Sequence, residues 1–439
     1  MNVSFIGILL MYIKILFHRF LNFLEYLWKM PTIIKRKVNK YYKFILYDNF
    51  TCISKTKKKS KQKTNKNKVI KIGLLTNEIP PIVYGGVATW IVNFIKMFND
   101  EPFIEIIPIF LAHQDKLPES SKKEYKNIRI IENDKDIYNH FKDIDICINN
   151  LWICLETIEK IKNLYPNLSI VTVCHSLIQM ENITNLGSIY TNNWMDQEKT
   201  FQISDYVILI SKAEENYYNL FGYDLFKAQT RVIYNSYQPK YDNNILSNNY
   251  ECDDIGYIGR HVPRKRPELP ILAVNKLNIK NITVHNMGVD YDKYDNEFWR
   301  LLEKKYKENL NVIPFTTDKL KKEKFFEETG WCCITGIYEP FGYTICEAID
   351  RRKPLVVGSI DGPKEIIDDV KDYVVTYKVD IDNYENDIIN FSKALKKALQ
   401  IPPNTRKQNS EIIRKCLDKF RPERIKLDWI NLFDEILNN

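Results

Sequence analysis

Residues Trp331 to Glu365, WCCITGIYEPFGYTICEAIDRRKPLVVGSIDGPKE, limit the fold more tightly than any other stretch of the chain. The β-favouring apolar run Trp331 to Thr335 predicts a buried strand. Glu339-Pro340-Phe341-Gly342 then turns the chain into a short helix that carries Glu347, and a second apolar run, Leu355 to Val357, ends in glycine. The order is strand, loop, helix, strand, with two carboxylates near one helix start. Backbone N–H groups and the helix dipole favour an anion at such a place. A carboxylate accepts two hydrogen bonds in a fork, which suits a vicinal diol. The pattern points to a phosphorylated sugar or nucleoside, with phosphate on the helix end and hydroxyls on Glu339 and Glu347.

Upstream, Val69 to Thr76 (VIKIGLLT) predicts a buried strand, followed by a loop that ends in Gly85-Gly86 and an apolar-periodic helix through Phe98. Strand, glycine loop and helix open a Rossmann-like unit. Gly85 and Gly86 let backbone amides come close to a ligand at the cleft. The loop lacks the Gly-x-Gly-x-x-Gly of a dinucleotide binder, which counts against a nicotinamide enzyme. Further apolar runs at Phe103 to Leu111, Ile144 to Ile148 and Leu168 to Cys174 alternate with helical or polar segments, and that alternation argues for a parallel sheet. The run Ser169 to Ser176 brings His175 to the C-terminal edge of its strand, where open α/β sheets place ligands. The segment Leu177 to Thr200 reads as a loop and, with Tyr190, Asn192, Asn193 and Trp194, as the place for an acceptor. Tyr237 to Asn249 is polar and reads as an interdomain linker.

The second half opens at Ile255 with a strand that ends in Gly259-Arg260, and Lys265 follows at the start of a helical segment. Arg260 is a forked donor and Lys265 a point charge, a pair suited to a diphosphate. Asn281 to Met287 and Leu310 to Phe315 continue the strand series, and Arg421 to Leu437 forms an amphipathic last helix.

These motifs together resemble the retaining GT-B glycosyltransferases of family 4, the glycosyl transferases group 1. The resemblance covers about Val69 to Asn439. It rests on Glu339 and Glu347 with Phe341-Gly342 between them, on Gly362 to Glu365, on Gly-Arg-x-x-x-x-Lys at Gly259 to Lys265, on Pro-Pro-x-x-x-Gly-Gly at Pro80 to Gly86, and on the strand-ending His175. It implies two Rossmann-like domains facing across a cleft and transfer of a sugar from a nucleoside diphosphate to an acceptor hydroxyl with retention. It implies that Arg260 and Lys265 stabilise the leaving diphosphate, Glu339 holds the sugar hydroxyls, Glu347 the ribose diol, and His175 lies by the donor sugar. The amides of Phe341, Gly342 and Tyr343, with Gly85 and Gly86, would meet phosphate or sugar, and the loop Pro314 to Thr317 would meet the base. No cofactor and no metal are expected beyond the donor substrate. The chain departs from the family at Arg266, which stands in place of a glycine and either adds a third cation or alters the turn, and at Arg352, in place of a helix-ending glycine.

The chain has 439 residues, 44% hydrophobic and 13% aromatic, enough for two α/β domains with sizeable cores. Its net charge of +8 is matched by the eight lysines of residues 55–68, so the remainder is close to neutral and no nucleic-acid-binding face is expected. Nine cysteines, an odd number without Cys-x-x-Cys, read as reduced core residues. In residues 1–30, Lys14, His18, Asn22, Glu25 and Lys29 fall on one side of a helix and leave a wide apolar face opposite. Interfacial membrane contact through this helix and the lysine run, a signal-anchor, and packing on the protein itself are the readings it allows. The expected division is 1–68 amphipathic helix and basic linker, 69–240 acceptor-side domain, 250–415 nucleotide-sugar domain, and 416–439 a helix crossing back. The expected location is cytoplasmic, with peripheral contact on the cytoplasmic face of a membrane. A GT-B epimerase of sugar nucleotides and a non-catalytic sugar-nucleotide-binding protein tethered to a membrane are the alternatives.

Overall fold

A computed structural model of the chain describes residues 69–112, 117–125, 127–185, 193–241, 248–289 and 296–438. The amphipathic segment 1–30, the lysine run 55–68, Tyr190 and Asn192 lie outside the described residues.

The apolar runs become strands of two sheets. The first holds β1 (Ile70–Thr76), β2 (Ile104–Leu111), β3 (Arg129–Ile131), β4 (Ile146–Asn149), β5 (Ser169–Cys174), β6 (Tyr206–Leu209) and β7 (Gln229–Val232) in the order β3-β2-β1-β4-β5-β6-β7. The second holds β8 (Ile255–Ile258), β9 (Val284–Val289), β10 (Leu310–Pro314), β11 (Trp331–Ile334), β12 (Leu355–Gly358) and β13 (Val375–Tyr377) in the order β10-β9-β8-β11-β12-β13. The pairings are parallel throughout. These are two Rossmann-like domains of GT-B type. Strand order reverses between β1 and β4 in one sheet and between β8 and β11 in the other, and open α/β sheets bind ligands at the carboxyl ends beside such reversals.

The helices that shape the cleft are α1 (Gly86–Phe98), α2 (Ile178–Thr184), α3 (Lys212–Leu220), α4 (Tyr343–Asp350), α5 (Asp361–Ile367) and α6 (Pro422–Asn438). The last of these packs on the first domain: the Trp429 ring meets Trp90 and Phe94 of α1 at centroid distances of 6.0 and 5.0 Å, and Phe433 meets Phe98 at 5.9 Å. Trp429 and Phe433 are buried. Each such side chain contributes roughly 1.5–3 kcal/mol by leaving water.

One sequence expectation changes. The segment Leu177 to Thr200 is largely helical where described, in α2 and in Trp194–Ile203. Its polar residues bond locally instead of looping out: the Gln197 side chain accepts from the Ile178 N–H at 2.9 Å and donates to the Ser176 carbonyl at 2.8 Å. Beyond Val232, where β7 ends, Asn235 and Ser236 are buried in irregular backbone.

Candidate functional site

The loops after β8 and β11 stand side by side at the reversal of the second sheet. The turn Pro263–Lys265 directs Lys265 toward the cleft, where its ammonium pairs with the Glu339 carboxylate. Seventy-four positions of sequence separate the two. Burial and the guanidinium groups of Arg264 and Arg260 push the Lys265 ammonium pKa down, and a carboxylate contact favours the charged form. Arg260 is exposed at the loop tip and acts electrostatically on Lys265 and, across the cleft, on Glu78 and Glu181 of the first domain.

Gly342 caps α4 with φ +107°, a conformation that disfavours any side chain. No side chain caps that helix and its first turn holds no acid, so its amides remain open to an anion. Gly362 is required by space: a Cβ there would lie 2.3 Å from the Phe341 carbonyl oxygen. The Phe341 ring is buried and meets Phe420 at 5.3 Å, so only its backbone can reach a ligand. Tyr343 turns its hydroxyl toward Asn93 of α1, and burial raises its pKa. Glu347 is held apart from Glu339. Its carboxylate lies 2.6 Å from Lys322 Nζ on the helix Lys319–Glu328, which follows β10 and the half-exposed Phe315.

Arg266 adds no cation to the cleft. It holds the left-handed conformation of the glycine it replaces, φ +44°, and its buried guanidinium pairs with Asp387 on the helix Tyr384–Leu399. Arg352 likewise adopts φ +55° at the end of α4, with its guanidinium on Glu411 and the Tyr241 carbonyl.

On the first domain, Gly85 and Gly86 are exposed at the start of α1, with no atom within 4 Å of an added Cβ and no side-chain cap. His175 follows β5, packs edge-on against Trp90, and has its Nε2 3.2 Å from Asn150 Oδ1. Burial lowers its pKa to about 3, so the ring is neutral near pH 7: Nε2 donates to Asn150 and Nδ1 is left as an acceptor.

Residues that sequence reasoning passed over tie the two edges together. Tyr338, next to Glu339, sits in a first-domain apolar cluster, where its hydroxyl accepts from the Leu177 N–H at 2.8 Å and donates to the Glu214 carboxyl. Burial raises Glu214 to about 8. Asp361 accepts from the Tyr217 hydroxyl at 2.9 Å and from the Glu339 N–H at 3.2 Å, and burial raises it to about 7. Glu365 accepts from the first-turn amides of α3, Lys212 at 3.0 Å and Ala213 at 2.6 Å. Arg264 donates to the Tyr338 carbonyl at 3.0 Å and pairs with Glu181 of α2 at 3.3 Å. The loops after β8 and β11 are therefore fastened to α2 and α3. The one legible hint was a tyrosine beside Glu339, since pairings across domains leave no local pattern.

A cavity of about 540 Å³ lies apart from these loops, between β7, α6 and Glu365. Its charges are spent in pairs, Arg231 with Glu435, Lys419 with Asp369 and Arg424 with Asp428. Among the described residues no cluster of three or more His, Cys, Asp or Glu side chains could hold a metal ion, and no helix is long and apolar enough to cross a membrane.

Residues 244–408, which contain the loops after β8 and β11, match the family described as glycosyl transferases group 1. A probable sucrose-phosphate synthase from Thermosipho melanesiensis is 25% identical over 181 residues, which spans 39% of this chain and 39% of that protein. Among solved structures, a sucrose-phosphate synthase from Thermosynechococcus elongatus superposes with TM-score 0.67 at 16% identity, covering 84% of this chain and 99% of that one. Anabaena HepE in complex with UDP-glucose superposes with TM-score 0.65 at 14% identity, covering 83% and 100%. At these identities the superpositions establish the GT-B fold, and the residues that match the glycosyl transferases group 1 family fall in one of its two halves.

Proposed function

We propose that this chain transfers a sugar from a nucleoside diphosphate to an acceptor hydroxyl, with retention of anomeric configuration and without a metal ion. The observation that carries the reading is the contact of Lys265 with Glu339 beside Arg260, at the strand-order reversal of the second sheet. Arg260 and Lys265 would take up the charge that builds on the leaving diphosphate, a role in which fixed cations act strongly. Those cations can occupy the electrostatic place of a metal. Glu339 would orient the sugar hydroxyls and Glu347 the ribose diol, while the amides at the start of α4, together with Gly85 and Gly86, would meet phosphate or sugar. Neutral His175 would offer Nδ1 to a hydroxyl of the donor sugar. No protein nucleophile is assigned. UDP is the expected carrier because a fold relative was solved with UDP-glucose, and the exposed Phe315 in the loop after β10 offers a face for a base.

The test is a panel of UDP-, GDP- and ADP-sugars offered to the full chain, read by thermal shift and by release of the nucleoside diphosphate. A UDP-sugar should raise the melting temperature and release UDP. Silence across every donor would overturn the assignment. The amphipathic pattern of residues 1–30 and the lysines of 55–68 would bring the enzyme to an anionic lipid surface. Co-sedimentation of the full chain with phosphatidylserine vesicles, unchanged on removal of residues 1–68, would contradict that.

A further inference from the structure

We propose that the first-domain edge of the cleft is an acceptor site for an uncharged sugar, built from Asn77, Glu78, Asn150 and His175. The inference rests on the donor reading above, which assigns the second-domain edge to the nucleoside diphosphate.

The four residues follow β1, β4 and β5, three adjacent strands, at the point where the strand order of the first sheet reverses. Asn150 is 2% exposed; its Oδ1 lies against His175 Nε2, and its Nδ2 has no hydrogen-bond partner in the protein. Asn77 Oδ1 is also buried without a partner. Buried polar groups are ordinarily bonded, so two orphans at the ends of the adjacent strands β1 and β4 call for a ligand that both donates and accepts. Sugar hydroxyls do both: Asn150 Nδ2 would donate to one and Asn77 Oδ1 would accept from another, while His175, whose Nδ1 is assigned to the donor sugar, holds Asn150 through Nε2. Glu78 stands on the loop of Asn77, its carboxyl pKa raised by burial and opposed by Arg260 of the second domain, so it faces the donor side. The exposed Tyr84 and Ile153, on the loops after β1 and β4, add apolar surface suited to a sugar ring face.

Charge sets the class of acceptor. Residues 77–95, 150–159 and 175–198, the segments that follow these three strands, contain no lysine or arginine. They contribute Glu78 and Glu181 to the cleft instead. Arg264 is already paired with Glu181, and the donor diphosphate takes Arg260 and Lys265. A phosphate on the acceptor would meet like charge with no counter-ion from these segments, and like-charge juxtaposition suppresses the wrong partner.

The experiment uses the full chain with UDP present and reads sugar binding directly by saturation-transfer NMR, apart from donor turnover. Glucose, N-acetylglucosamine and maltose are compared with glucose 6-phosphate and N-acetylglucosamine 6-phosphate. The neutral sugars should bind at least about tenfold more tightly than the phosphates. Asn150→Leu should weaken neutral-sugar binding while UDP still binds, and Glu78→Lys should move the preference toward the phosphates. Tighter binding of a sugar phosphate, no sugar-dependent response from either class, or unchanged sugar binding in folded Asn150→Leu would each overturn the proposal. Loss of UDP binding in the wild-type chain would count against the donor reading, and the sugar response would still decide this one.

Discussion

The loops after β8 and β11 present Arg260 and a Lys265 paired with Glu339, whereas the loops after β1 and β4 present Asn77, Glu78 and Asn150 with no lysine or arginine. Both edges stand at a strand-order reversal of a parallel sheet, so topology alone would give them the same work. The difference lies in charge. On the proposed reading one edge holds a dianion and the other excludes it, with the fold assigning the place of binding and the loop residues what binds.

The sharpest test of that contrast is whether the donor edge holds two cations or three. Arg266→Gly should destabilise the protein by about 3 kcal/mol or more in urea melts, because it strands buried Asp387. Relief of the left-handed arginine returns only about 1–2 kcal/mol of that. UDP affinity should stay near wild type, and a tenfold loss would place a third cation in the cleft. Lys265→Ala should lower turnover by roughly a hundredfold, about 2.7 kcal/mol in the barrier, if the ammonium stabilises the leaving group.

The edges are also joined, and the joint should be weaker than either. Tyr338→Phe removes the hydroxyl that serves Leu177 and Glu214 and should cost about 1–3 kcal/mol of stability while reducing turnover, since Glu339 is its neighbour. Unaltered turnover would show that the joint does not position Glu339. Protonation enters through Glu214, raised from 4.5 to about 8, and Asp361, raised from 3.8 to about 7, both by burial. The folded state keeps protons that the unfolded chain gives up in these windows. Their contribution to stability is therefore full below about pH 4 and is lost as pH rises through 7 and 8. Glu214→Gln should flatten the fall of melting temperature between pH 5 and 8, and an unchanged slope would show that Glu214 is ionised throughout. Smallest of all, Glu347→Gln breaks a half-exposed pair with Lys322 and should change stability by less than about 1 kcal/mol, with its effect seen in the KM for the donor.

Much of the second-domain edge was legible because its residues are local. Gly342 at the start of α4, Gly362 against Phe341, and Lys265 five positions after Arg260 are fixed by short-range geometry that a spacing can encode. Arg352 was legible for the same reason, as a left-handed helix end. Arg266 was half legible: its backbone kept the turn, but the partner that claims its charge lies 121 positions away. The fastening of Tyr338, Asp361 and Glu365 to α3 was not legible, since their partners lie 124, 144 and about 150 positions away and no periodicity relates them. The helices within Leu177 to Thr200 were missed because asparagines and threonines that read as loop formers bond back within the segment, as the Thr184 hydroxyl does to the Met180 carbonyl.

Calorimetric titration of the full chain with UDP and with uridine is the most direct test of the claim that Arg260, Lys265 and Glu339 form a diphosphate-sugar site. The account predicts that UDP binds, that Arg260→Ala and Lys265→Ala each weaken UDP by about tenfold or more, and that both leave the weaker binding of uridine unchanged. Equal affinity for UDP and uridine, or UDP binding indifferent to both substitutions, would contradict it.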